Sequence, residues 1–206
     1  MWDVPPPDPA IEITVASHGM SKGVSQTDHA QFIARPYLQI GDVQVGGQWK
    51  NVNSNGAGGE ASAFVGFARK FGDLQLTAGA TYKALTAAPK GIDSDCIELA
   101  AGASQKIGRA AIRINAIVSP DDFGTTRRSL YVEAGPSIDL TKALRLSANV
   151  GHRWRQNGVE YTSMNAGAAY TVHKRLALDL RYYRTNRAEL GETYRHRVVI
   201  SGKLNF

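Results

Sequence analysis

The chain ends in RHRVVISGKLNF, Arg195 to Phe206. Read two at a time, His196, Val198, Ile200, Gly202, Leu204 and Phe206 form one row. Arg195, Arg197, Val199, Ser201, Lys203 and Asn205 form the other. The first row is mostly apolar and closes on an aromatic; the second is polar and basic. Successive side chains of a β-strand point to opposite faces, so this strand separates two different environments.

The same period recurs upstream, while helix-period faces are hard to find. Leu176, Leu178, Leu180 and Tyr182 alternate with Ala177, Asp179, Arg181 and Tyr183. Leu74, Leu76, Ala78, Ala80 and Tyr82 alternate with Gln75, Thr77, Gly79, Thr81 and Lys83. Each segment is about ten residues long, enough to cross a bilayer as a tilted strand. Tight turns fall at Gly41–Asp42, Gly72–Asp73, Gly108–Arg109, Thr141–Lys142 and His173–Lys174, spaced by 31, 36, 33 and 32 residues. Longer polar connections lie between them, over 18–29, 52–60, 85–95, 119–128, 155–160 and 185–193.

Five turns and six loops join twelve strands. The pattern predicts them at 10–17, 30–40, 43–51, 60–71, 74–84, 95–107, 110–118, 129–140, 143–154, 161–172, 175–184 and 193–206. An even strand number, with short turns on one side and longer loops on the other, is the asymmetry of an outer-membrane barrel. The sequence therefore reads as all-β: a transmembrane antiparallel up-and-down barrel over 10–206, preceded by a periplasmic segment over 1–9.

Composition fits this reading. The hydrophobic fraction of the 206 residues is 43%. No apolar run reaches the roughly 18 residues of a transmembrane helix. A barrel needs apolar residues only at alternate positions. The single cysteine, Cys96, excludes an internal disulfide and a thiolate metal cluster. The start, MWDVPPPDPA, lacks the basic and apolar regions of a secretory signal. It reads either as cytosolic or as a processed form with an added Met1. The net charge of +6 points to an anionic partner.

A soluble β-sandwich also alternates, but it gathers its rings in the middle of the core. Here Phe32, Trp49, Tyr82, Trp154, Tyr182 and Tyr194 fall near the loop end of the apolar face. Phe71, Tyr170 and Phe206 fall near its turn end. Two aromatic girdles flanking an aliphatic band match two membrane–water interfaces.

The stretch ASHGMSKGVSQTDHAQFIARPYLQ resembles the start of the TorF-like family of porins, with a Gly-x-Ser-Gln-Thr loop at Gly23, Val24, Ser25, Gln26 and Thr27. GGEASAFVGFARKFGDLQLTAGATYKAL and RRSLYVEAGPSIDLTKALRLSANVGHRW resemble later hairpins of that family. The resemblance implies an outer-membrane barrel of a Gram-negative bacterium, called a porin mainly by analogy. It brings no catalytic residue and no defined substrate. A terminal aromatic such as Phe206 also resembles the signal that hands such barrels to their assembly machinery.

The register places Arg35, Lys50, Lys70, Lys83, Lys106, Arg113, Arg145, Arg153, Arg181, Arg195, Arg197 and Lys203 on the pore lining. The pore-lining acids are Glu12, Glu98, Glu133, Asp139 and Asp179. Twelve bases against five acids leave a surplus of seven, carried chiefly by Arg153, Arg181, Arg195 and Arg197 near the loop end. Rings of Arg and Lys suit an anion path. The alternative is a filled interior cross-linked by ion pairs such as Asp139 with Arg145.

Gly46, Gly66, Gly79, Gly102, Gly135, Gly151 and Gly167 also face inward, either widening the lumen or letting strands bend. Asn55–Glu60 reads as a flexible loop. His152 and His196 face lipid without the serine of a barrel lipase two residues on. No catalytic residue, metal site or cofactor is assigned. The bases face a lumen and the rings face lipid, so no nucleic-acid platform forms. The expected partners are outer-membrane lipid, lipopolysaccharide, the barrel-assembly machinery and small anions. The expected function is passive diffusion of small anionic solutes across the bacterial outer membrane. The second reading is a closed accessory barrel in an envelope complex.

Overall fold

The computed structural model describes residues 6–54 and 56–206. The expectation for residues 1–9 falls in part outside the described residues, as does Asn55 of the glycine-rich loop.

Twelve strands close into one antiparallel barrel. They are β1 (Asp8–Ala16), β4 (Gln31–Ile40), β5 (Val43–Ser54), β6 (Ala57–Phe71), β7 (Leu74–Thr86) and β8 (Asp95–Ile107). They continue with β9 (Ala110–Ser119), β10 (Ser129–Asp139), β11 (Leu144–Arg155), β12 (Tyr161–His173), β13 (Leu176–Thr185) and β14 (Arg197–Asn205). Two short strands, β2 (Met20–Ser21) and β3 (Val24–Ser25), pair only with each other.

Each barrel strand pairs with its sequence neighbour, and β14 returns to β1. That seam runs from Glu12 opposite Asn205 to Ala16 opposite Ser201. Phe206 extends it, its N–H donating to Ile11 O at 3.0 Å while its carbonyl accepts from Ile11 N at 3.3 Å. Among the described residues the barrel has no open strand edge, as a membrane-spanning sheet requires. The short turns follow local chemistry. Gly41, Gly72 and Gly108 take positive φ of 57°, 62° and 61°, a conformation open to glycine without steric cost.

Several elements differ from the sequence pattern. β1 starts at Asp8, so the barrel reaches back into the segment assigned to 1–9. β14 starts at Arg197 rather than 193, because two 3₁₀ turns, Ala188–Leu190 and Glu192–Tyr194, occupy the preceding connection. The 52–60 connection is a tight hairpin. Gly58, Gly59 and Glu60 belong to β6, and Glu60 is buried inside. The sequence pattern makes residues 18–29 an external loop. Instead they fold inward and contribute the β2–β3 hairpin.

The polarity of the barrel is inverted relative to a soluble core. Val65, Leu76, Leu99, Ile114, Val150, Leu180 and Ile200 lie outward and exposed. Phe32, Trp49, Tyr82, Trp154 and Tyr182 flank this band near the loops, and Phe71, Tyr170 and Phe206 near the turns, all exposed. Phe67 joins the turn-end ring. Tyr194 is the exception. It belongs to a 3₁₀ turn, and its ring packs edge-on against Tyr161 inside the mouth, with centroids 5.5 Å apart.

Leu180 sits between Tyr182 and the Leu178–Tyr170 row, near mid-membrane, whereas Ser137 lines the lumen. Arg at 180 is therefore expected to cost about 2–4 kcal/mol and to cut the yield of folded barrel. Arg at 137 is expected to leave the yield near wild type. Gel-shift assembly assays on the two variants check this; equal yields would contradict the register.

Candidate functional site

The candidate site is the lumen. Strand parity points Arg35, Lys50, Lys70, Lys83, Lys106, Arg113, Arg145, Arg153, Arg181, Arg197 and Lys203 inward. Glu12, Glu98, Glu133, Asp139 and Asp179 point the same way. Arg195 does not. It precedes β14, stands exposed on the rim and pairs with Glu192. Three groups were missed: Glu60, Lys22 and Asp122. Glu60 shares the inward parity of Gly66, so its signal was present in the sequence. Lys22 and Asp122 sit on connections, where strand parity says nothing.

The loop-end half of the lumen is filled by a charge cluster. Lys22 Nζ approaches Glu98 Oε1 at 2.5 Å, and Lys83 Nζ approaches Glu98 Oε2 at 2.7 Å. Lys50 and Glu60 pair at 3.2 Å, and Arg153 and Asp122 at 2.5 Å. Their side chains are largely buried, Lys22 and Glu98 being 7% and 10% exposed. Around them, Tyr131 Oη lies 3.3 Å from Ser163 Oγ, and Ser129 Oγ donates to Asp122 Oδ2 at 2.7 Å. Gly151 leaves the room that the Tyr131 ring occupies. Gly46 does the same beside Phe64. At these two positions the missing side chain is replaced by a neighbour's, so the lumen is not widened there.

Burial, and after it the Arg153 guanidinium, push the Lys22 ammonium below its ordinary value, with Glu98 opposing them. Burial alone would raise the Asp122 carboxyl. Arg153 and then Lys22 outweigh it and hold Asp122 below the usual carboxylate range.

The turn-end half is different. A cavity of about 830 Å³ opens there, within the roughly 300–1,000 Å³ typical of small-molecule sites. The expected Asp139–Arg145 pair is present and bidentate, at 2.6 and 3.1 Å. Arg113 pairs with Glu133 at 3.0 Å, Arg181 with Asp179 at 3.1 Å, and Lys203 with Glu12 at 3.1 Å. Lys70 and Lys106 also line the cavity, and no carboxylate lies within salt-bridge distance of either among the described residues. Arg35 has no carboxylate partner there either. It donates to Gln44 at 2.5 Å and stacks 4.3 Å over the Phe64 ring. Of the four loop-end arginines expected to carry the surplus, Arg153 and Arg181 are paired inside. Arg195 and Arg197 share Glu192. Uncompensated charge also sits lower, on Lys70, Lys106 and Arg109, whose guanidinium donates to the backbone carbonyls of Asp139 and Leu140.

On the lipid face, His152 Nδ1 lies 2.8 Å from Thr162 Oγ1, and His196 packs 6.2 Å from the Tyr182 ring.

No family model and no curated protein matches the chain. The similarity is to solved structures. A KdgM porin in complex with disordered oligogalacturonate has a TM-score of 0.66 at 8% identity, covering 96% of this chain and 99% of that one. The NanC porin has a TM-score of 0.67 at 7% identity, covering 94% and 98%. The COG4313 outer membrane channel from Pseudomonas putida F1 has 0.62 at 12%, covering 96% and 94%. At these identities the likeness shows the fold, a twelve-stranded barrel of the outer-membrane porin type.

Glu98 is the counter-ion of two buried lysines. Glu98→Gln leaves both without a carboxylate partner, and breaking such a buried pair typically costs about 3–5 kcal/mol. A matching drop in the urea midpoint of liposome-embedded protein is expected. An unchanged midpoint would show that the cluster is not closed in the membrane.

Proposed function

We propose that the protein is an outer-membrane channel for passive diffusion of small anionic solutes. One observation carries the reading: the turn-end cavity is lined by bases in excess of acids, with no carboxylate within salt-bridge distance of Lys70 or Lys106 among the described residues. A narrow tube of low dielectric focuses such a charge, raising the local concentration of anions and repelling cations. Screening acts over about 8 Å at physiological salt, so the field of wall lysines reaches the axis of a small pore. The porin-type fold and the bound oligogalacturonate of KdgM, a chain of sugar acids, support the same direction.

This reading places the exposed aliphatic band in the bacterial outer membrane, in contact with lipid and lipopolysaccharide. It gives Phe206 to the barrel-assembly machinery. The Gly23–Thr27 motif keeps the TorF-like porins as the proposed family. No step of the function calls for catalysis or a cofactor.

The packed loop-end cluster favours a second reading, a closed accessory barrel. Reversal potentials in a planar bilayer under a salt gradient separate the two. The channel reading expects anion preference that weakens as salt rises, and a smaller preference in the Lys70→Gln, Lys106→Gln double variant. Cation preference would contradict the charge assignment. No conductance under any condition would leave the accessory barrel.

A further inference from the structure

Besides the turn-end cavity, the lumen holds a second cavity of about 320 Å³ toward the loops. Lys22 lines both. Met20 and Gly23 face the lower space, and Ser21, Val24 and Ser25 the upper one. The β2–β3 hairpin is therefore a partition between two halves of one lumen.

Its construction is specific. Lys22 and Gly23 take positive φ of 50° and 81°, the mark of a two-residue type I′ turn. Glycine at 23 is required twice over, because a Cβ there would also overlap the Ser163 side chain on the opposite wall. Tyr161 Oη donates to Lys22 O at 3.0 Å. The hairpin's return is fixed as well. Lys50 Nζ donates to Gln26 Oε1 at 2.7 Å, and Gly19 N–H donates to the buried Thr27 Oγ1 at 2.7 Å. Gly23, Gln26 and Thr27 are three of the motif residues that resembled the TorF-like family. Their work here is to turn the chain into the barrel and hold it there.

The charge at the partition is not balanced. Glu98 is shared by Lys22 and Lys83, and Asp122 is paired with Arg153. Those two carboxylates face three cations, Lys22, Lys83 and Arg153, so one positive charge remains at the partition. We infer that the Met20–Ser25 hairpin is the constriction of this channel and that Lys22 is the residue that sets its charge preference, passing small anions over cations. This rests on the channel reading above and adds the element that limits it. The lower lysines gather anions, and the hairpin decides the size and charge of what continues.

Two variants test it, and both keep the wall intact, because Glu98 retains Lys83 when Lys22 is lost. Lys22→Met keeps the length of the side chain and removes the charge. Its anion-over-cation permeability ratio should fall on the order of tenfold. In a trimmed variant, two glycines replace Met20–Ser25 between Gly19 and Gln26. Its single-channel conductance should rise severalfold. Gel shift confirms that each barrel is folded, and chloride and potassium are the probe ions. Trimmed barrels that conduct while the wild type is silent would support the inference, the hairpin then being the occlusion itself. Folded variants with wild-type conductance and selectivity would overturn it while leaving the channel reading standing. If neither wild-type nor trimmed barrels conduct, the channel reading falls and the constriction falls with it.

Discussion

Everything in this molecule depends on the seam between β1 and β14. A sheet of twelve strands in hydrocarbon has no water to satisfy its edge groups, so an open edge would cost several kcal/mol per unpaired group. The chain meets that demand by bringing its last residue back to Ile11, where both backbone bonds of Phe206 are made. Closure fixes which residues face lipid and which face the lumen, because the side-chain period is two and a one-residue slip would exchange the faces. The aliphatic band, the girdles and the internal charges all follow from that single register.

Closure also creates an interior that must be filled or left wet. The chain does both, in different halves. Toward the loops, carboxylates from the wall and from a connection meet cations from the wall and from the hairpin. The result is a dense set of ion pairs. Toward the turns, the cavity opens, its bases outnumber its acids, and among the described residues no carboxylate lies within salt-bridge distance of Lys70 or Lys106. The same residue types thus serve as cross-links at one end and as a field source at the other. What separates the two roles is the placement of a few carboxylates, above all Glu98 and Asp122.

Much of this was legible in the sequence. Alternation showed the strands, the Gly–Asp turns showed the hairpins, and parity assigned the wall residues to their faces, including the Asp139–Arg145 pair. Parity fails where strands stop. Tyr194 and Arg195 looked like a continuation of β14, but 3₁₀ turns hold them, so neither lies where alternation places it. The inward hairpin was invisible for a related reason. Its strands have two residues each, too short for a period to register. Its decisive contacts join Lys22 to Glu98 and Gly23 to Ser163, far apart in sequence. Only the Gly23–Thr27 motif hinted that something in that loop was specified.

The central claim is that one closed barrel carries a lumen partitioned by its first connection. A density map of the full chain in lipid nanodiscs tests it most directly. The account predicts density for Met20–Ser25 crossing the lumen, with the Lys22 side chain reaching Glu98 and solvent-filled space below toward Lys70 and Lys106. A lumen empty from mouth to mouth, with that hairpin lying outside the barrel, would contradict it.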